Sequence, residues 1–155
     1  MSTIASRLAD LGITLPAAAA PAGNYVPWVR HGDLVVVSGQ LPLRDGTLVT
    51  PGLLGRDVSL DDGAAAARLC AINLLAQVQA ACDGDLERVA RVVRLGGFVA
   101  CTADFTDQPK VINGASDLLV AVLGDAGRHA RAAVGCPSLP LNACVEVEGM
   151  FALRS

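Results

Sequence analysis

HARAAVGCPSLPLNACVEVEG, His129 to Gly149, decides how this 155-residue chain closes. Arg131 is followed by fourteen uncharged residues and then by Glu146 and Glu148. Pro137 and Pro140 separate two strand-like runs, about 131–136 and 142–152. Read as a hairpin centred between Ser138 and Leu139, the segment sets Arg131 opposite Glu146, with Cβ atoms about 5 Å apart. A single-residue bulge would move either side chain to the other face. An exposed pair of this kind is a cross-strand ion bridge worth under about 1 kcal/mol. Set in an apolar cleft, the same guanidinium is a fork for a substrate carboxylate. The glutamate is then placed to orient water or move a proton.

Working back toward the N-terminus, Asp107 with Pro109 in the first turn predicts a helix ending near Leu123, before Gly124 and Gly127. On it Ile112, Ser116, Leu119 and Leu123 share a face. LERVARVVRLGGFVACTADF, 86–105, reads as a long strand bent or bulged at Gly96-Gly97. Asp61 and Asp62 open a helix over about 62–82, their charges suiting its positive end. Leu69, Ile72, Ala76 and Gln79 draw its apolar line, with Leu75 and Val78 beside it. Residues 49–58 form a glycine-rich loop. Asp45-Gly46 and His31-Gly32-Asp33 are turn signals between β-branched runs, 25–32, 33–40 and 41–49. Ser2 caps a short helix to Leu11, and the prolines of LPAAAAPAGN extend the chain after it.

The order after the first helix is β-β-(β)-α-β-α-β-β. It predicts an α+β fold, a mixed sheet with two main helices on one face. No remaining sequence covers the sheet's other face, so self-association is expected. We divide the chain into an N-terminal helix and connector, 1–19, and a domain, 20–155.

Composition narrows the function. Apolar residues make up 52%, aromatics 3%, and the formal charge is -3 with Lys110 the only lysine. Nucleic-acid binding, which calls for a basic stripe, is not expected. No run reaches the roughly 18 apolar residues of a spanning helix, and the chain is read as cytoplasmic, without a membrane partner. Cys70, Cys82, Cys101, Cys136 and Cys144 include no C-x-x-C pair and read as small buried hydrophobes. His31 and His129 lack partners for a metal and are placed on the surface or in loops, so neither metal nor cofactor is expected.

APAGNYVPWVRHGDLVVVSGQLP, AINLLAQVQAAC, DFTDQPKVIN and RAAVGCPSLPLNACVEVEG together resemble the RidA/YjgF family, earlier labelled endoribonuclease L-PSP. The likeness runs from about Ala20 to Ala152. Its most specific parts are the Tyr…SGQ-x-P segment and the Arg-x8-Pro-x5-Glu spacing. The resemblance implies a chorismate mutase-like fold, a homotrimer with clefts between subunits, and hydrolysis of 2-imino acids or their enamine tautomers to 2-keto acids and ammonia. It implies that Arg131 clamps a small carboxylate-bearing substrate. Glu146 would place water with a main-chain carbonyl near Ala133, while Tyr25, Ser38, Gly39 and Asn113 line the cleft. Two other readings stand: a non-catalytic trimer that binds small keto acids, and the ribonuclease or translation-inhibitor activity of the older label. Ala133 replaces the cysteine of many relatives. The N-terminal helix and extra residues around TADFTDQPK resemble a distinct subgroup. Trp28 is assigned to packing, and Glu146, beside an arginine, is expected to stay ionised.

Overall fold

The computed structural model describes residues 1–155. Helix α1 spans Ile4–Asp10, capped by Thr3 rather than Ser2: the Thr3 hydroxyl accepts from Ser6 N–H, and the Ser6 side chain returns the bond. Strands β1, Trp28–His31, and β2, Leu34–Gln40, form an antiparallel pair. Strands β3, Leu43–Arg44, and β4, Thr47–Leu48, flank Asp45 and Gly46. Both turn residues have positive φ, 52° and 75°, as a tight hairpin turn requires. Helix α2 runs Leu60–Ala81, strand β5 Val89–Ala100, and helix α3 Gln108–Leu123. Strands β6, Ala130–Cys136, and β7, Val145–Leu153, complete the chain.

The main sheet has the order β1-β2-β7-β5-β6. This overturns the terminal hairpin. Strand β6 runs parallel to β5, while β7 lies antiparallel on β5's other side. Residues 137–144 therefore reverse the chain across the end of β5, so that β6 and β7 never pair with each other, and Leu141 and Asn142 adopt positive φ within that crossing. The crossover that the parallel β5–β6 pair demands is supplied earlier, by α3. The Gly96-Gly97 bulge is also corrected. The register shifts fall at Val89/Arg91 and Val92/Arg94. The two glycines instead permit close approach: a methyl on Gly96 would stand 2.8 Å from Glu148 Cγ, and one on Gly97 2.6 Å from Ile112 Cδ1.

Helices α2 and α3 cover one face of the sheet and also pack on each other. Gly114 lets them close, since a methyl there would strike the Ala64 carbonyl. Because α2 is flanked by both sheet and helix, its fully buried positions, Ala67, Cys70, Ala71, Leu74, Leu75 and Val78, are broader than the expected line, and Ile72 and Gln79 sit at its margin. By length and composition alone α2 could span a bilayer, with a mean hydropathy of 1.2; yet 61% of that window is buried inside the protein, so it is a core helix. Ile4 and Leu8 of α1 join the same core.

The sheet's other face is open and apolar. Val29, Val36 and Val134 are 53%, 38% and 47% exposed. The row Val29, Val36, Met150, Arg94, Ala130 runs straight across it. The uncovered face expected from the sequence is present.

Candidate functional site

The register fixes where the expected site residues go. Arg131 lies beside Leu95, and Glu146 beside Phe98. These β5 neighbours are three residues apart. An odd offset puts the two side chains on opposite faces, with Cα atoms about 14 Å apart across two strand spacings. The direct Arg131–Glu146 neighbour relation is therefore wrong within one chain. The expected residues fall into two clusters instead.

The first cluster lies where edge strand β6 meets α3. Arg131, half-buried, follows the helix: its Nη1 donates to Ser116 Oγ at 3.0 Å and its Nη2 to the Pro109 carbonyl at 3.1 Å. Asn113 falls four residues after Pro109 and three before Ser116, on the same helical stripe, and is exposed. Ala133, two residues along the strand from Arg131, packs partly against the core. Farther along, Gly135 meets Gln108 and Cys101, and a cavity of about 350 Å³ opens among Cys101, Phe105, Gln108, Gly135, Cys136 and Pro137. Two of the five guanidinium N–H groups are engaged by the chain, which leaves three for a ligand.

The second cluster lies on the open face of the sheet. Ser38 Oγ donates to the Val26 carbonyl at 2.8 Å and Ser38 N–H to the Pro27 carbonyl at 2.9 Å, tying Tyr25's segment to β2. Tyr25, Ser38 and Gly39 share a recess of about 70 Å³ with Pro27 and Gln40. Beyond Gly39 stands Glu146: a methyl on Gly39 would approach its Cδ to 2.9 Å and its Oε1 more closely still. Asn73 donates to the carbonyls of Leu41 and Leu43, both at 3.0 Å, anchoring the loop after β2. None of the ion pairs includes Glu146, whereas Glu148 meets Arg94 at 3.6 Å. Burial between Phe98 and the neighbouring strands, with Glu148 adding repulsion, raises the Glu146 pKa above the usual 4.5. The expected stabilising arginine is absent from its own chain.

Two residues escaped the sequence reading. His129 lies in the loop before β6, one of the two places expected for it, but is half-buried there, with Nε2 2.8 Å from Ser116 Oγ and Nδ1 2.6 Å from the Gly127 carbonyl. Ser116 is no core residue, since its hydroxyl joins that histidine to Arg131. The available signal was one hydroxyl on an otherwise aliphatic helical face. Trp28 packs on the core, as expected. The five cysteines are free. Burial raises Cys70 well above the ordinary thiol value and Cys144 to about 11, so these thiols stay protonated.

A five-stranded sheet with helices on one face, an arginine on the helix side of one edge and a glutamate on the bare side defines a chorismate mutase-like α+β chain. The chain belongs to the family described as "YjgF/chorismate mutase-like, putative endoribonuclease", whose profile it matches over residues 5–153. It is 50% identical to Protein TCP17 of Trypanosoma cruzi over 153 residues, 98% of this chain and 95% of that protein. The structure of Atu1372 from Agrobacterium tumefaciens, of unknown function, is 52% identical with a TM-score of 0.92, over 97% of this chain and 92% of that one. A Shewanella oneidensis protein carrying the endoribonuclease label is 40% identical with a TM-score of 0.94, over 97% and 99%.

Proposed function

We propose that this chain is a cytoplasmic hydrolase that converts reactive 2-imino acids, or their 2-enamine tautomers, to 2-keto acids and ammonia. Its site is completed between copies in a homotrimer. The Arg131 cluster of one subunit meets the Tyr25–Ser38–Gly39–Glu146 cluster of its neighbour. The observation that carries this reading is the placement of Arg131 and Glu146 on opposite faces of one sheet. Two groups that suit one reaction can then meet only across a boundary between molecules. The bare apolar face beside Glu146 supplies a surface for that contact.

The chemistry asks little of the protein. The remaining Arg131 N–H groups hold the substrate carboxylate as a bidentate fork. Asn113, on the same stripe of α3, faces the bound substrate, and a carbonyl of edge strand β6 near Ala133 helps hold water. An iminium carbon is already electrophilic. Glu146 orients a water molecule toward it and accepts a proton as the C–O bond forms. Return of that proton to nitrogen lets the C–N bond break; as ammonia leaves, the re-ionised Glu146 takes the hydroxyl proton so that the carbonyl remains, and passes it to the departing ammonia as ammonium. Burial of Glu146 raises its proton affinity, which suits this exchange. Fixing one water and one carboxylate supplies most of the rate. Ala133 requires no thiol in this scheme.

The test is release of 2-keto acid from the imine produced by an amino-acid oxidase. The protein should accelerate it and Arg131→Ala should abolish the acceleration. Tight keto-acid binding without acceleration of several such imines would replace the hydrolase with the binding-only reading.

A further inference from the structure

Arg131 is held by more than one contact. Its Nη1 donates to Ser116 Oγ at 3.0 Å; Ser116 Oγ lies 2.8 Å from His129 Nε2; His129 Nδ1 lies 2.6 Å from the Gly127 carbonyl. With the imidazole neutral, the two ends of this chain fix the direction of every proton in it. A carbonyl oxygen only accepts, so Nδ1 carries the hydrogen. In a neutral imidazole Nε2 is then an acceptor. A guanidinium only donates, so Ser116 must accept from Arg131 and direct its single O–H to Nε2. Arginine, serine, histidine and carbonyl thus form a one-way relay in which each link joins one donor to one acceptor.

The far end is rigid. Gly127 ends the turn Gly124–Gly127 and presses on α3: a methyl there would stand 2.6 Å from the Leu119 carbonyl carbon and 2.8 Å from Val120 Cα. The near end has a second tether, Nη2 to the Pro109 carbonyl at 3.1 Å. Two fixed points on one planar group set its plane. A long side chain that would otherwise sample many rotamers is ordered before any ligand arrives.

We propose that Ser116 and His129 are positioning residues that aim the Arg131 guanidinium at an incoming carboxylate. The carboxylate half of this proposal rests on the function proposed above; the relay itself does not. In the wild-type protein, at a pH where imidazoles are neutral, nitrogen-15 NMR of its two histidines, assigned with His31→Asn, should show the proton of His129 on Nδ1. Ser116→Ala should leave that tautomer, which the Gly127 carbonyl sets, yet collapse the distinct guanidinium signals of Arg131, while Ser116→Thr keeps them. With pyruvate as the probe, Ser116→Ala and His129→Ala should weaken binding about 5- to 10-fold, the scale of one buried hydrogen bond. Ser116→Thr and His129→Gln, which restore hydroxyl and acceptor, should recover most of it. In turnover the loss should enter KM and leave kcat within about twofold. A proton on Nε2 in the wild type would overturn the relay. So would unchanged pyruvate affinity in Ser116→Ala where Arg131→Ala abolishes it. If wild-type protein fails to bind pyruvate, the carboxylate reading falls, and the NMR signatures still decide the relay.

Discussion

Mixing two inactive variants offers the sharpest test of a site divided between molecules. Arg131→Ala keeps Glu146, and Glu146→Gln keeps Arg131. Each variant alone should be dead in the imine assay. If both residues served one site within a subunit, co-assembly would restore nothing. Register and strand order argue the opposite, because an odd offset on β5 sends the two side chains to opposite faces. Suppose each site takes Arg131 from one subunit and Glu146 from the next. In a closed ring with one kind of interface, a 1:1 random mixture then has one competent pairing in four. Co-refolding should therefore recover about one quarter of wild-type activity per subunit. The figure does not depend on the number of subunits in the ring. Each variant also needs a separate control for unchanged assembly, by sedimentation. Recovery indistinguishable from zero, with mixed oligomers demonstrated by mass, would refute the opposite-face argument.

Other outcomes follow from the packing. Gly39→Ala would force the Glu146 carboxylate to move by about 1 Å, a displacement on the scale that costs about 100-fold in rate. The protein should stay folded, and full activity in a folded variant would refute the placement of Glu146. Gly114→Ala would drive a methyl into the Ala64 carbonyl between α2 and α3. It should cost about 1–3 kcal/mol, lowering Tm by several degrees, and a variant as stable as wild type would remove the close helix crossing. The raised Glu146 pKa carries a definite sign. The folded chain holds this proton more tightly than the unfolded one, so ionisation opposes folding as pH rises past 4.5. Glu146→Gln, compared by chemical denaturation at concentrations that dissociate the oligomer, should be more stable than wild type at pH 7 and lose that advantage below the usual glutamate value. A gain confined to acid would reverse the assignment.

The local elements were plain in the sequence because their causes are local. Asp45-Gly46 supplies the two positive φ values of its turn. Asp61 and Asp62 stand in the first turn of α2, and Pro109 in the first turn of α3. The order of the last strands was not plain. Two runs joined by a short proline-marked link look like neighbours, and sequential strands often are. Here β5 presents both edges, and its tightly buried Leu95-Gly96-Gly97 centre belongs to an interior strand. That centre was the available signal against a hairpin. The site suffered from the same error. Arg131 and Glu146 stand out in the sequence as candidates, but their relation depended on a strand lying between them. His129 and Ser116 were missed because a hydrogen-bond chain through β6, α3 and a turn leaves no fixed spacing in sequence.

The strand order also bears on synthesis. Strand β7 is made after the other four strands of its sheet, yet it fills the gap between β2 and β5. Until its nine residues have emerged, the growing chain holds two separated pieces, β1-β2 and β5-β6, each with an unpaired edge. Vectorial folding on the ribosome cannot finish the sheet stepwise, so premature termination before Val145 would leave exposed edges prone to aggregation.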